Sequence, residues 1–105
     1  MRVYISGKIS GKTIEQASKD FEAVERRLTE KGYEAVNPLK EAYKVFGNYD
    51  EPYDVYMKFD LELLASCEAI VFLLDWKDSK GAREEKREAE RLGLKKLTLE
   101  GTAWV

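Results

Sequence analysis

Two carboxylates occupy helix positions where apolar side chains would be expected. Glu85 lies three residues after Ala82 and four before Ala89, so it shares the apolar stripe that these alanines and Leu92 mark on an otherwise charged helix. Asp60 is four residues from both Tyr56 and Leu64 and three from Leu63, beside the helix surface expected to face a sheet. At either position the plain alternative is a solvated carboxylate paired with a neighbouring Lys or Arg. Two inward-leaning carboxylates in one crevice, in a chain without histidine, suit substitution at an acetal-like carbon. One would attack the carbon while another group assists departure of the leaving group.

A glycine loop offers a different chemistry. Gly7-Lys-Ile-Ser-Gly11-Lys12-Thr13 falls one residue short of the phosphate-cradling G-x-x-x-x-G-K-[ST] pattern, and Asp75 stands where a magnesium-holding aspartate would end a strand. The shorter loop changes how its amides wrap a triphosphate, so a phosphate-loop hydrolase is the weaker alternative. A glycine turn with solvated lysines is the plainer one.

Composition narrows the remaining classes. The 105 residues allow one domain, spanning 1–105, with 44% hydrophobic and 36% charged residues as in a globular protein. Eighteen Lys+Arg against twenty Asp+Glu give a net charge of −2, no footprint for duplex DNA or an anionic membrane. With one cysteine and no histidine, neither an internal disulfide nor zinc, Ser-His or Cys-His chemistry is expected, and no metal or cofactor is called for. The start Met1-Arg-Val-Tyr-Ile-Ser is not a signal segment, and no run is long enough to span a membrane, so a cytoplasmic protein is expected.

The elements that must position these residues follow from periodicity. Residues 2–6 form a short β-rich run stopped by Gly7. From Thr13, apolar positions Ile14, Ala17, Phe21, Val24 and Leu28 recur at helical spacing until Gly32. A second strand, 33–37, ends at Pro38, and a brief helix and turn lead to Asn48. Residues 53–67 have helical spacing, 69–74 are an unbroken apolar run befitting a central buried strand, 79–92 form a charged helix stopped by Gly93, and 96–99 close as a last strand. The alternation implies an α/β fold: a single Rossmann-like, flavodoxin-like domain with about four parallel strands and helices on both faces. Such sheets bind ligands at the carboxyl ends of their strands, here after Ser6, Asn37 and Leu74. A sheet this small leaves edges to cover, and Trp104 is a large apolar group near the terminus, so a homodimer or larger homo-oligomer is expected.

Three segments resemble the nucleoside 2-deoxyribosyltransferase superfamily, which includes the deoxynucleoside-monophosphate N-glycosidases. They are Val3-Tyr-Ile-Ser-Gly-Lys-Ile-Ser-Gly11, Phe59-Asp-Leu with Cys67-Glu-Ala-Ile-Val-Phe-Leu-Leu-Asp75, and Trp76-Lys-Asp-Ser-Lys-Gly-Ala-Arg-Glu-Glu85. Within that superfamily the chain most resembles a small phage and bacterial domain of unknown function. The resemblance implies Glu85 as nucleophile, Asp60 as the aspartate that helps the leaving base, and Tyr4 as the residue positioning the nucleophile. It also implies that Gly7, Lys8, Ile9, Ser10 and Gly11 hold the sugar or its 5'-phosphate, with Asp75, Trp76, Asp78, Ser79 and Gly81 as further substrate contacts. Lys8-Ile9-Ser10 stands where monophosphate-cleaving relatives carry Ser-Ile-Arg.

The implied ligand is a small nucleoside or nucleotide, cleaved or transferred at its N-glycosidic bond. A nucleotide-binding module that keeps the crevice without cleaving is the rival. Because the glycine loop precedes a helix start and carries Lys8, Ser10 and Lys12, a 5'-monophosphate is expected to bind better than the bare nucleoside.

Overall fold

The computed structural model describes residues 1–98. Strand β1 (Arg2–Ser6) is central, paired in parallel with β2 (Glu34–Val36) on one side and β3 (Ala69–Phe72) on the other. Strand β4 (Lys95–Leu97) pairs in parallel with β3, giving the order β2-β1-β3-β4. The register sets Val3 against Ala69, Tyr4 against Ile70 and Ser6 against Phe72. This is the single Rossmann-like α/β sheet expected from the alternating pattern, and its order reverses between β1 and β3.

The connections are α1 (Ile14–Glu30), α2 (Pro38–Phe46), α3 (Tyr53–Ala65) and α4 (Lys80–Leu92), with a single 3-10 turn at Trp76–Asp78. Side-chain caps explain where three helices start. Thr13 accepts from the Gln16 amide, Asn37 from those of Leu39 and Lys40, and Ser79 from that of Ala82. Pro38, a strand stop in the sequence, sits in the first turn of α2, where its missing N–H costs nothing. Gly93 closes α4 with a left-handed φ of 74°, which a side chain would resist.

Strand alternation divides the core in two. Val3, Ile5, Ala69, Val71 and Leu73 pack against Ala17, Phe21, Val24 and Leu28 of α1. On the other face Tyr4, Ile70 and Phe72 pack with Leu64, Cys67 and Ala89 from the α3 and α4 side. The sheet therefore delivers its even-numbered β1 residues, Tyr4 and Ser6, toward the helices that carry Asp60 and Glu85.

Several boundaries differ from the sequence expectation, β2 being shorter and α3 ending earlier than expected. The apolar run 69–74 outlasts its strand: Leu73 still donates its amide to the Ser6 carbonyl at 2.8 Å, but Leu74 is exposed. The 3-10 turn then fills the gap before the Ser79 cap. Strand β4 begins at Lys95, one residue earlier than expected, and its described part ends at Leu97; Leu99 and Trp104 lie outside the described residues. Among the described residues no helix is long and apolar enough to cross a membrane.

Candidate active site

Glu85 is held from the sheet. Its position three residues after Ala82 and four before Ala89 turns it onto the buried face of α4, where it is 5% exposed. There the Tyr4 hydroxyl donates to Oε2 and the Ser6 hydroxyl donates to Oε1 at 2.6 Å. Both donors come from the end of one central strand, two residues apart, so the carboxylate is fixed by the sheet as well as by its own helix. Asp60 enters from α3 on the stripe shared with Met57 and Leu64, and is 8% exposed. Its carboxyl has no hydrogen-bond partner among the described residues.

Asp60 and Glu85 line one cavity of about 390 Å³, a volume in the range of small-ligand sites. Gly7, Lys8, Ile9 and Ser10 from the first loop line it as well, with Asp78, Ser79 and Gly81 from the approach to α4. The opposite wall, from α1 to α3, is largely apolar or aromatic, including Ile14, Leu39, Tyr49, Tyr53 and Met57. Gly7 is required by close approach, because a Cβ there would fall 2.3 Å from Leu73 Cδ1. The cavity lies at the carboxyl end of β1, where the strand order reverses.

The electrostatics separate the two acids. Burial pushes the Glu85 carboxyl up to about 7, with the Ser6 and Tyr4 hydrogen bonds opposing the rise and the charge of Glu84 adding to it. Burial, followed by repulsion from Glu85, pushes Asp60 up to about 9. Both carboxyls are thus pushed toward the neutral form, Asp60 further than Glu85, whose two hydroxyl donors favour its ionised form. Tyr4 is held well above its ordinary range by burial and then by Glu85 and Asp60, which keeps it a hydrogen-bond donor. The arrangement supplies an ionised, oriented carboxylate beside a neutral carboxylic acid, a division of labour suited to nucleophilic and general-acid roles.

Other expected contacts lie elsewhere. Asp75 does not line the cavity; its Oδ1 accepts from the Lys8 amide at 3.3 Å and its Oδ2 pairs with Lys12. Lys12 also pairs with Asp20 at 2.8 Å; although partial burial lowers its pKa, these carboxylates raise it overall. Engaged in this way, Lys12 does not line the cavity. Gly11 and Trp76 are also absent from the lining. Trp76 packs on Phe72, with ring centroids 5.0 Å apart, and the Nζ atoms of Lys77 and Lys86 approach its ring.

Ser6 was not singled out by the sequence, although strand alternation from Tyr4 places it on the same face. The apolar wall had no comparable signal, because it forms only when α2 and α3 fold back over β1. Among the described residues no group of three or more His, Cys, Asp or Glu side chains is placed to hold a metal ion.

Comparison with known proteins gives one match. The family model described as "Domain of unknown function (DUF4406)" covers residues 1–98. No curated protein and no solved structure matches the chain.

Proposed function

We propose that this chain, which belongs to the DUF4406 family, cleaves or transfers at the N-glycosidic bond of a deoxynucleoside or its 5'-monophosphate through a covalent glycosyl ester on Glu85. One observation carries the reading: a buried carboxylate, both oxygens held by hydroxyl donors from the central strand, shares a ligand-sized cavity with a second buried carboxyl that burial pushes toward the neutral form.

In the first step a lone pair of Glu85 attacks the anomeric carbon as the carbon–nitrogen bond breaks. The bonding electrons pass to the base, and Asp60 supplies the proton that neutralises it. A carboxylate that accepts two hydrogen bonds retains lone pairs for the new bond, and Tyr4 and Ser6 fix the direction from which it approaches. In the second step water or an incoming base attacks the same carbon. The ester bond breaks, its electrons return to Glu85, and Asp60 takes up the proton released by the nucleophile. Two displacements at one carbon give net retention.

Lys8 and Ser10, on the loop lining the cavity, support a 5'-monophosphate as the better substrate. This reading implies a cytoplasmic nucleotide pool, and self-association is part of the proposal because β2 and β4 are the sheet's edge strands among the described residues. The test is incubation of the protein with a panel of deoxynucleosides and deoxynucleoside 5'-monophosphates, with free base followed by chromatography. Base release by the wild type, lost in Glu85→Gln, is expected. Binding without release would instead identify a recognition module.

A further inference from the structure

Asp60 presents a feature that catalysis alone does not use up. It is a carboxyl more than nine-tenths buried, it lines the ligand cavity, and no described side chain or backbone group hydrogen-bonds to it. Around it on α3 stand Met57 and Leu64, and the nearest charge acting on it is the like charge of Glu85. With no described donor hydrogen-bonded to it and Glu85 repelling a second charge, burial favours the neutral form of this carboxyl. A neutral carboxyl has an O–H donor and, on its other oxygen, an acceptor. Facing the cavity with two hydrogen-bonding atoms that no described group answers, Asp60 is placed to pair with whatever fills it.

We infer that Asp60 reads the base, selecting those in which a ring-nitrogen acceptor stands beside an exocyclic amino donor: 6-aminopurines over 6-oxopurines, and 4-aminopyrimidines over 4-oxopyrimidines. The inference rests on the proposed function, in which the Asp60 proton goes to a ring nitrogen of the leaving base. Once the O–H of Asp60 points at that nitrogen, its other oxygen faces the neighbouring substituent. An amino group there donates to it and completes a two-point pair. A carbonyl oxygen there places acceptor against acceptor, so the two-point pair is lost. The same two-point geometry lets an Asn side chain read the ring-nitrogen and amino edge of adenine.

The analogy makes the assignment testable apart from turnover. Asp60→Asn retains a donor and an acceptor but has no proton to give, whereas Asp60→Leu has neither. Calorimetric titration would be run with deoxyadenosine and deoxyinosine 5'-monophosphates on three proteins: Glu85→Gln, and Glu85→Gln combined with Asp60→Asn or with Asp60→Leu. Thermal melts would confirm that each is folded. The expected result is a preference of about ten-fold for the amino nucleotide in Glu85→Gln, kept with Asp60→Asn and abolished with Asp60→Leu. Equal affinity for the two nucleotides in Glu85→Gln, or a preference that survives Asp60→Leu, would overturn the inference. Base release by the wild-type protein, followed in parallel, separates the two levels. No release with the preference intact removes the glycosidic reading and leaves Asp60 as the base reader; no binding of either nucleotide removes both.

Discussion

Replacing Tyr4 with phenylalanine removes one of the two hydroxyls that hold Glu85 and leaves the ring in the core. Tyr4 is fully buried and its hydroxyl donates to Glu85 Oε2, so the substitution acts on that carboxylate with little change in packing. A hydrogen bond to a charged group contributes about 1.5–3 kcal/mol, and one pKa unit corresponds to about 1.4 kcal/mol. Losing the Tyr4 bond therefore raises the Glu85 carboxyl by about one to two units from its value of about 7. Ser6→Ala acts in the same direction, and Glu84→Gln in the opposite one, because the charge of Glu84 raises Glu85. The carboxyl carbon of Glu85, followed by NMR across pH in protein labelled with carbon-13 glutamate, reports the shift without any assumption about activity. The acid limb of base release would move with it. A Glu85 titration that is unchanged or lowered in Tyr4→Phe would refute the claim that the sheet hydroxyls stabilise the ionised form.

Four further outcomes follow from the same geometry. Asp60→Asn reduces base release by about 100- to 10,000-fold, the usual range for a lost general acid, and abolishes the alkaline limb near pH 9. Because the Asp60 pKa is raised on folding, its stabilisation is complete below the unfolded value near 4 and is lost as pH rises toward about 9. Denaturant titrations across pH should thus show Asp60→Asn gaining on the wild type over that window, by at most about 1.4 kcal/mol per pH unit. Asp75→Ala frees the Lys8 amide, leaves Lys12 paired with Asp20 alone and loosens the first loop, so KM for a 5'-monophosphate rises several-fold while kcat changes little. Lys8→Ala weakens a 5'-monophosphate more than the bare nucleoside and reduces the salt dependence of its binding, as titrations at two salt concentrations would show.

What the sequence could disclose about the site depended on whether a residue's environment was set locally. Glu85 and Asp60 stood out because helical periodicity assigns a face from neighbours three and four residues away, and those neighbours were apolar. Tyr4 was implied by a resemblance, whereas Ser6 needed only the two-residue period of its strand. Lys12 and Asp75 read differently in one dimension. Their spacing suggested a phosphate loop, but the fold brings Asp20 from α1 to the same lysine, a contact invisible to a motif. The sheet was readable because β1 and β3 are short apolar runs and because Gly7, Gly32, Asn37 and Gly93 mark the limits of its segments. The 3-10 turn was not, since nothing in Trp76-Lys77-Asp78 separates a turn from the start of the next helix. The apolar wall comes from three helices, and its shape exists only in their packing.

The central claim is that Glu85 bonds covalently to the sugar, and trapping tests it most directly. A 2-fluorinated deoxynucleoside or its 5'-monophosphate slows breakdown of the glycosyl ester, so the protein would be incubated with it, digested and analysed by peptide mass spectrometry. The predicted result is a fluorinated sugar adduct on the peptide containing Glu85, located at that residue by fragmentation and missing from Glu85→Gln. An active protein that carries no adduct, carries it on another residue, or inverts the anomeric centre would contradict the account.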